Sequence, residues 1–173
     1  MTVFSPSDIK IYYTGASTVG AAQLDPSLSL GGNLSSTEVP NVSLMALFDI
    51  ISGSETVSGS INYRAVMVKN TNQIITLAGT KIYFLERTGY SDDLIYFGLE
   101  DSIGSAIQTI TDETTSPTGI VWYYPETVAS GIVVGDLEYG ECFGVWFKRS
   151  FVPTLSGSGQ RDDWFTLVIE GNV

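Results

Sequence analysis

Histidine is absent from this chain of 173 residues, and its absence excludes several kinds of chemistry. Ser-His-Asp triads, Cys-His pairs, imidazole general bases and His-ligated zinc sites all need an imidazole ring. The chain has a single cysteine, Cys142, so an intrachain disulfide and a thiolate metal cluster are excluded as well. We expect Cys142 to be a structural strand thiol rather than a reactive nucleophile.

Positive charge is scarce, since 8 basic residues stand against 19 acidic ones and the net charge is -11. Such a chain repels phosphate backbones and anionic lipid surfaces, so neither nucleic acid nor membrane is an expected partner. No run approaches the roughly 20 apolar residues needed to span a bilayer. The N-terminus lacks signal-peptide features, so export by that route is not expected. Phosphate-cradling and dinucleotide motifs are also missing, and no cofactor is predicted.

Paired carboxylates are the one remaining catalytic possibility, because a glycosidase needs only two of them. The adjacent pairs are Asp92-Asp93, Glu100-Asp101, Asp112-Glu113 and Asp162-Asp163. Neighbouring strand residues point to opposite faces, so we expect solvated loops rather than an acid/base pair. The acidic segments also lack the alternate-residue spacing of a calcium loop. We therefore predict no catalytic, cofactor-binding or metal-ligating residue, and a carboxylate-only glycosidase stays a minor alternative.

Short apolar runs separated by Gly, Asn, Ser and Pro predict an all-β chain. We expect a two-sheet antiparallel β-sandwich, immunoglobulin-like or jelly-roll, with at most one short helix, at residues 44–49. One domain is expected over residues 1–173, with residues 1–7 as a candidate extended N-terminal arm. The predicted strands cover residues 8–13, 61–69, 73–77, 79–87, 94–99, 120–124, 141–151 and 164–170.

Aromatic residues lie on both faces of the strand at 141–151, with Phe143 and Phe147 alternating with Trp146. This pattern predicts a strand covered on one side by the opposing sheet and on the other by a loop or a neighbouring subunit. Residues 14–40 predict a long ordered loop that wraps part of the structure or contacts a partner. Five aromatics are candidates for a sugar-stacking platform, but core or interface packing is the preferred interpretation. They are Trp122, Tyr123, Tyr124, Trp146 and Trp164.

Short motifs lie along most of the chain, and none of them is a catalytic signature. They are Ser7-Asp8-Ile9-Lys10, Leu30-Gly31-Gly32, Ser36-Thr37-Glu38, Leu47-Phe48-Asp49, Tyr63-Arg64, Val68-Lys69-Asn70-Thr71, Gly98-Leu99, the segment 112–120, Val145-Trp146-Phe147-Lys148-Arg149, Phe165-Thr166-Leu167 and Glu170-Gly171. Together they resemble a group of virion structural proteins of tailed bacteriophages, which are small and β-rich. After Gly98-Leu99 the chain departs from that pattern, because Glu100-Asp101-Ser102-Ile103 replaces a shorter turn.

The resemblance implies a non-enzymatic component of a phage particle, located in the virion and assembled in the host cytoplasm. We expect a capsid decoration, or cement, protein that binds the outer shell, with the major capsid protein and copies of itself as partners. Val3 and Phe4 are candidate interface residues, on an arm that reaches a neighbour. Two alternatives stay open: a tail, neck or baseplate component, and a carbohydrate-binding module for host attachment.

Overall fold

The computed structural model describes residues 4–41, 46–87, 93–153 and 164–173. Within these ranges the chain forms nine strands, one α-helix and two 3-10 turns, at Pro6–Asp8 and Pro26–Leu28. The helix α1 spans Gly53–Ser58. The strands are β1 (Ile9–Tyr13), β2 (Gly31–Asn33), β3 (Ser60–Asn70), β4 (Leu77–Arg87), β5 (Asp93–Ile103), β6 (Ala106–Thr109), β7 (Ile132–Leu137), β8 (Cys142–Phe151) and β9 (Phe165–Asn172).

The strands form a four-stranded sheet, in the order β1-β3-β8-β5, and a three-stranded sheet, in the order β7-β4-β9. A small third sheet joins β2 to β6, and every strand pair is antiparallel. The central pair of the larger sheet, β3 and β8, stays in register from Ser60 opposite Phe151 to Lys69 opposite Cys142. Long paired strands of this kind make β3 and β8 the rigid centre of the molecule.

The main hydrophobic core lies between the two larger sheets, to which alternate residues of each strand contribute. Half-buried side chains of β7 and β9 complete the core along its margins. With 48% of the chain in strands and antiparallel sheets packed together, the predicted all-β sandwich is confirmed. The buried core residues are Leu47, Val66, Val68, Leu77, Ile82, Phe84, Ile95, Phe97, Leu137, Phe143, Val145 and Phe147.

A second apolar layer covers the other face of the four-stranded sheet. Trp146 and Ala65 are fully buried there, against Ile110 and partly buried side chains from the loops that flank β2 and β6. The prediction that β8 is covered on both faces is therefore confirmed. The cover is the chain's own loops together with the β2-β6 sheet, so the aromatics of β8 need no neighbouring subunit to be buried.

Two glycines allow this outer layer to approach the sheet closely. Gly31 has φ +88, and a Cβ atom there would lie 1.9 Å from the carbonyl oxygen of Gln108. At Gly98 in β5, a Cβ atom would lie 2.2 Å from the Cγ2 atom of Ile120. Any larger residue at either position would push the layer away from the sheet.

The helix predicted at residues 44–49 is wrong in its described part, because residues 46–48 form a bend; residues 42–45 lie outside the described ranges. The apolar side chain of Leu47 belongs to the main core. The observed helix follows Ser52, whose hydroxyl accepts from the backbone N–H of Glu55 while the Glu55 carboxylate accepts from the N–H of Ser52. This capping box is a local helix signal in the sequence. The prediction relied instead on the apolar pattern at 44–49.

The strand predicted at 79–87 is confirmed as β4, which begins at Leu77. The strand predicted at 73–77 is wrong, because residues 71–76 form an irregular loop. The Asn72 side chain organises that loop by accepting from the backbone N–H groups of Ile74 and Ile75. Gly79 has φ +59 and lies within β4 where the register with both neighbouring strands shifts. It is a bulge residue, and a bulge and a turn share the same glycine signal.

The strand predicted at 120–124 is also wrong, since within that segment only Tyr123 forms a β-bridge, to Phe97 of β5. Conversely, the sequence did not predict β2, β6 and β7, because these strands are short and lack a clear alternation of apolar and polar residues. The remaining predicted strands are confirmed, with shifts of a few residues at their ends.

Candidate interaction surfaces

The described part of the N-terminal segment is folded against the domain. Phe4 is half-buried and packs on the main core, whereas Val3 lies outside the described residues. Asp8 ends the following 3-10 turn, and its carboxylate accepts from the backbone N–H of Ser5, at 2.7 Å, and from the Asn72 amide, at 2.9 Å. Both hydrogen bonds lower the pKa of Asp8, and the bond from Ser5 has the larger effect. The interface role of Val3 and Phe4 stays a prediction.

Residues 14–40 wrap the chain's own four-stranded sheet. Ser29 lies beside the part of β3 that β1 does not reach. Its carbonyl oxygen accepts there from the backbone N–H of Ala65 at 2.8 Å, and its hydroxyl donates to the Ala65 carbonyl at 2.6 Å. Thr14 and Ser29 are both fully buried, and the backbone N–H of Thr14 donates to the Ser29 hydroxyl. The long loop at 14–40 therefore stabilises the domain through contacts with the chain's own four-stranded sheet.

The acidic pairs occupy structural positions where the structure describes them. Asp112 accepts from the hydroxyl of Thr114, at 2.6 Å, and from its backbone N–H, at 2.9 Å. These bonds lower the pKa of Asp112 to about 2, and the bond from the Thr114 hydroxyl has the largest effect. Its neighbour Glu113 is ion-paired with Arg64. In the Glu100-Asp101 pair, Glu100 accepts from the indole N–H of Trp146 at 2.7 Å.

Of the two other pairs, Asp93 is buried at the start of β5, and Asp92, Asp162 and Asp163 lie outside the described residues. Among the residues that are described, no group of three or more cysteine and carboxylate side chains is placed to hold a metal ion.

Two buried arginines form a cluster at one end of the sandwich. Arg64 is 1% exposed and contacts the carboxylates of Glu113 and, at 3.8 Å, Asp49. The Phe48 ring lies next to both arginines, with its centre 5.8 Å from the guanidinium of Arg64 and 5.0 Å from that of Arg149. We call these five residues the arginine cluster. It ties the loop at 46–49 and the loop at 112–115 to the central strands.

The arginine cluster unites four of the motifs on which the phage resemblance depends. Leu47-Phe48-Asp49, Tyr63-Arg64, Asp112-Glu113 and Lys148-Arg149 are distant in sequence but meet at this end of the sandwich. The cluster links loops to the sheet through two buried arginines. We therefore interpret these motifs as determinants of the fold.

Most of the candidate sugar-stacking aromatics are engaged in packing. Trp146 is fully buried, Trp122 packs on Tyr63 with ring centres 5.4 Å apart, and Tyr124 contacts Phe84 at 6.1 Å. These contacts favour the packing interpretation over a sugar platform. The exception is Trp164, which directly precedes β9 and is 52% exposed.

The three-stranded sheet has an outer face that the described part of the chain leaves partly uncovered. Its exposed apolar side chains are Leu85 and Val133, together with Trp164 at its margin. A shallow cleft beside Trp164 is lined by Leu85, Arg87 and Glu126. In this cleft Arg87 forms an ion pair with Glu126, at 3.1 Å, and stacks on the Tyr124 ring.

A groove of about 500 Å³, which we call the side groove, runs along one open side of the sandwich between β5 and β7. Phe143 and Tyr123 form part of its apolar lining, Ile132 and Val134 contribute from β7, and Glu100 and Asp101 lie at its β5 wall. The described residues that line it include no lysine or arginine. The outer face and the side groove are the two surfaces best suited to a partner.

Within the described ranges, no helix is both long and apolar enough to cross a bilayer. Comparison with protein-family models, curated proteins and solved structures produced no match to this chain.

Proposed function

We propose that this protein is a non-enzymatic structural component of a bacteriophage particle, and specifically a decoration protein that binds the outside of the capsid shell. Its partners are then the major capsid protein and further copies of the chain. The proposal combines the sequence resemblance with a difference between the two large sheets.

The observation that carries the proposal is the unequal cover of these sheets. The four-stranded sheet is buried on both faces by the chain's own residues. The three-stranded sheet instead exposes Leu85 at 58% and Val133 at 63% on an otherwise acidic molecule. Exposed apolar side chains on a sheet face that the chain itself leaves uncovered are candidates for an interaction surface. This arrangement fits a module that docks through one side.

Decoration requires no reaction, because a bound module stabilises a shell through the interface area that it buries between subunits. Weak contacts suffice, since the symmetry of a shell repeats each contact many times. The net charge of -11 also fits a protein that binds other proteins and not the packaged nucleic acid.

Electron cryo-microscopy of the native particle tests the proposal. We expect density for this sandwich on the outside of the shell, between capsomers. Density confined to the tail, neck or baseplate would overturn the decoration role and support the neighbouring structural role. Absence from the particle would overturn the structural proposal as a whole.

A pair of variants tests whether the outer face does the docking. We expect Leu85→Lys to lower the occupancy of the shell about tenfold, because a charge at a buried contact is costly. The matched control is Val57→Lys on α1, where the side chain is 80% exposed. Equal occupancy for the two variants would contradict docking through this face.

Trp164 favours a second candidate, a carbohydrate-binding module for host attachment. An exposed indole beside a carboxylate and a guanidinium is a suitable arrangement for stacking and hydrogen bonding to a sugar. A glycan array is the test, with Trp164→Ala as the control variant. Binding that the variant abolishes would support this candidate, and no binding at high protein concentration would eliminate it.

A further inference from the structure

We propose that the side groove binds an extended segment of a partner protein that adds as a short strand to the edge of β7 and presents lysine or arginine side chains to the acidic wall formed by β5. This inference rests on the proposed structural function and specifies how one contact with the shell is made.

The edge of β7 is available for strand addition. β7 is an outer strand of its sheet and pairs only with β4. Within the described ranges, no backbone hydrogen bond joins residues 132–136 to a segment on the other side. An open strand edge is a template for another chain. Gly135, with φ +114, interrupts the regular edge, so the added strand is short and centres on Ile132–Val134.

The groove beside this edge has an apolar lining. Ile132 and Val134 pack against the main core but stay half-buried, and Tyr123 is half-buried at the same place. Val121, on the groove margin, is 59% exposed. Aliphatic surface of this kind suits the methylene stem of a lysine or arginine side chain, whose charged end then reaches the rim.

A bulge in β5 places a carboxylate at that rim. The register of β5 with β8 slips between Leu99 and Ile103, so that residues 100–102 protrude from the regular ladder. The Glu100 carboxylate turns to the indole of Trp146, whereas Asp101 is exposed at the groove. Among the described residues that line the groove, no lysine or arginine balances the charge of Asp101.

A second copy of this chain does not fit the groove. None of the lysines and arginines in the described ranges is fully exposed. Lys10, on the outer strand β1, is bound to Glu38 at 2.7 Å, and the segment at 37–39 covers the free edge of β1. The part of the chain that the structure describes therefore offers no exposed cationic strand, and the net charge of the whole chain is -11. Charge complementarity favours a different protein with a cationic extended segment.

The test is a titration of the full-length protein with seven-residue peptides, followed by nuclear magnetic resonance of the backbone amides. The first peptide alternates valine and lysine, the second replaces each lysine by glutamate, and the third carries N-methyl groups on its valines. We expect the first peptide to bind saturably with a dissociation constant between about 10 µM and 1 mM. Its largest shifts should fall at Ile132–Val134 and at residues 99–103.

Binding of the glutamate peptide should be absent, and N-methylation should weaken binding about tenfold, because it removes the donors of one strand edge. Asp101→Lys should weaken the binding of the lysine peptide about fivefold. Glu138→Lys, which makes the same change of charge at an exposed turn, should alter it less than about twofold. If Asp101→Lys does not fold, Asp101→Asn takes its place, with a smaller loss in the same direction.

Three results would overturn the inference: no saturable binding of the lysine peptide, equal effects of the two charge variants, or unchanged binding after N-methylation. None of these would affect the location of the protein on a particle, which the cryo-microscopy of the proposed function tests separately. Conversely, absence from the particle would overturn the proposed function without removing a measured affinity of the groove.

Discussion

Arg149 and Phe48 meet at one end of the sandwich, where the guanidinium carbon lies 5.0 Å from the centre of the ring. The same guanidinium donates a 2.6 Å hydrogen bond to the backbone carbonyl of Asp49. The buried Arg149 side chain of β8 therefore holds the irregular loop at 46–49 through the ring of Phe48 and the backbone of Asp49. Stability at this end depends on contacts that are distant in sequence.

Replacing Phe48 by alanine should destabilise the protein by about 1–3 kcal/mol, through lost burial and lost contact with the two arginines. Phe48→Leu should cost less, since it retains most of the apolar volume. Urea unfolding measures both. The control is Ile50→Ala, at a side chain that is 49% exposed, for which we expect a change below about 0.5 kcal/mol. Equal losses for Phe48→Ala and Ile50→Ala would contradict the role of the ring.

Removing the Glu113 carboxylate should destabilise the protein, because Arg64 would then be buried without its ion-pair partner. Arg64 is 1% exposed, and its other carboxylate, Asp49, lies at 3.8 Å. We expect Glu113→Ala to lower the free energy of unfolding by about 1–3 kcal/mol, a range that allows for the partial exposure of Glu113. The double variant Arg64→Met with Glu113→Ala should recover part of that loss. A double variant whose loss equals the sum of the single losses would show that the pair is not coupled.

Cys142 should react slowly with thiol reagents in the native protein. Its side chain is 3% exposed and donates to the Gly104 carbonyl oxygen at 3.1 Å. Burial raises the pKa of the Cys142 thiol, so little of the reactive thiolate is present near neutral pH. Reaction with a chromogenic disulfide at pH 8 should follow the rate of local or global opening, and denaturant should accelerate it. Complete reaction within the mixing time would contradict this burial.

The stability contributed by Asp112 should disappear in acid. Its folded-state pKa of about 2 lies below the ordinary value of 3.8, so its carboxylate is stabilised by folding. That contribution is fully present above the unfolded-state pKa and is lost as the pH falls from 3.8 towards 2. The stability difference between the wild type and Asp112→Asn should therefore shrink over this interval. Denaturant unfolding at several pH values measures it, and a constant difference would contradict the assignment.

Several features of the fold were predictable from local pattern. The β-rich runs of β3 and β8, together with turn residues between runs, indicated an all-β sandwich. The two aromatic faces of β8 indicated that it is covered on both sides, and the structure confirms this. Such predictions succeed because a strand with a period of two exposes its burial pattern directly in the sequence.

The candidate interaction surfaces were harder to predict from the sequence. Trp164 was identified as an aromatic of interest, but Trp122 and Trp146 carried the same signal and pack against other residues of the chain. Aromatic residues serve cores and surfaces alike, so only the fold separates these uses. The side groove depends on β7, whose sequence lacks a clear alternation of apolar and polar residues.

Composition and local periodicity were enough to exclude imidazole and disulfide chemistry and to establish the strand-rich class, because these depend on residue types and on near neighbours. Tertiary structure decided which sheet stays uncovered, how the bulge at residues 100–102 aims its carboxylates, and why Arg64 and Arg149 are buried. Each of these depends on segments that are far apart in the chain and meet only after folding. Their positions follow from strand order and packing, which no local window of sequence contains.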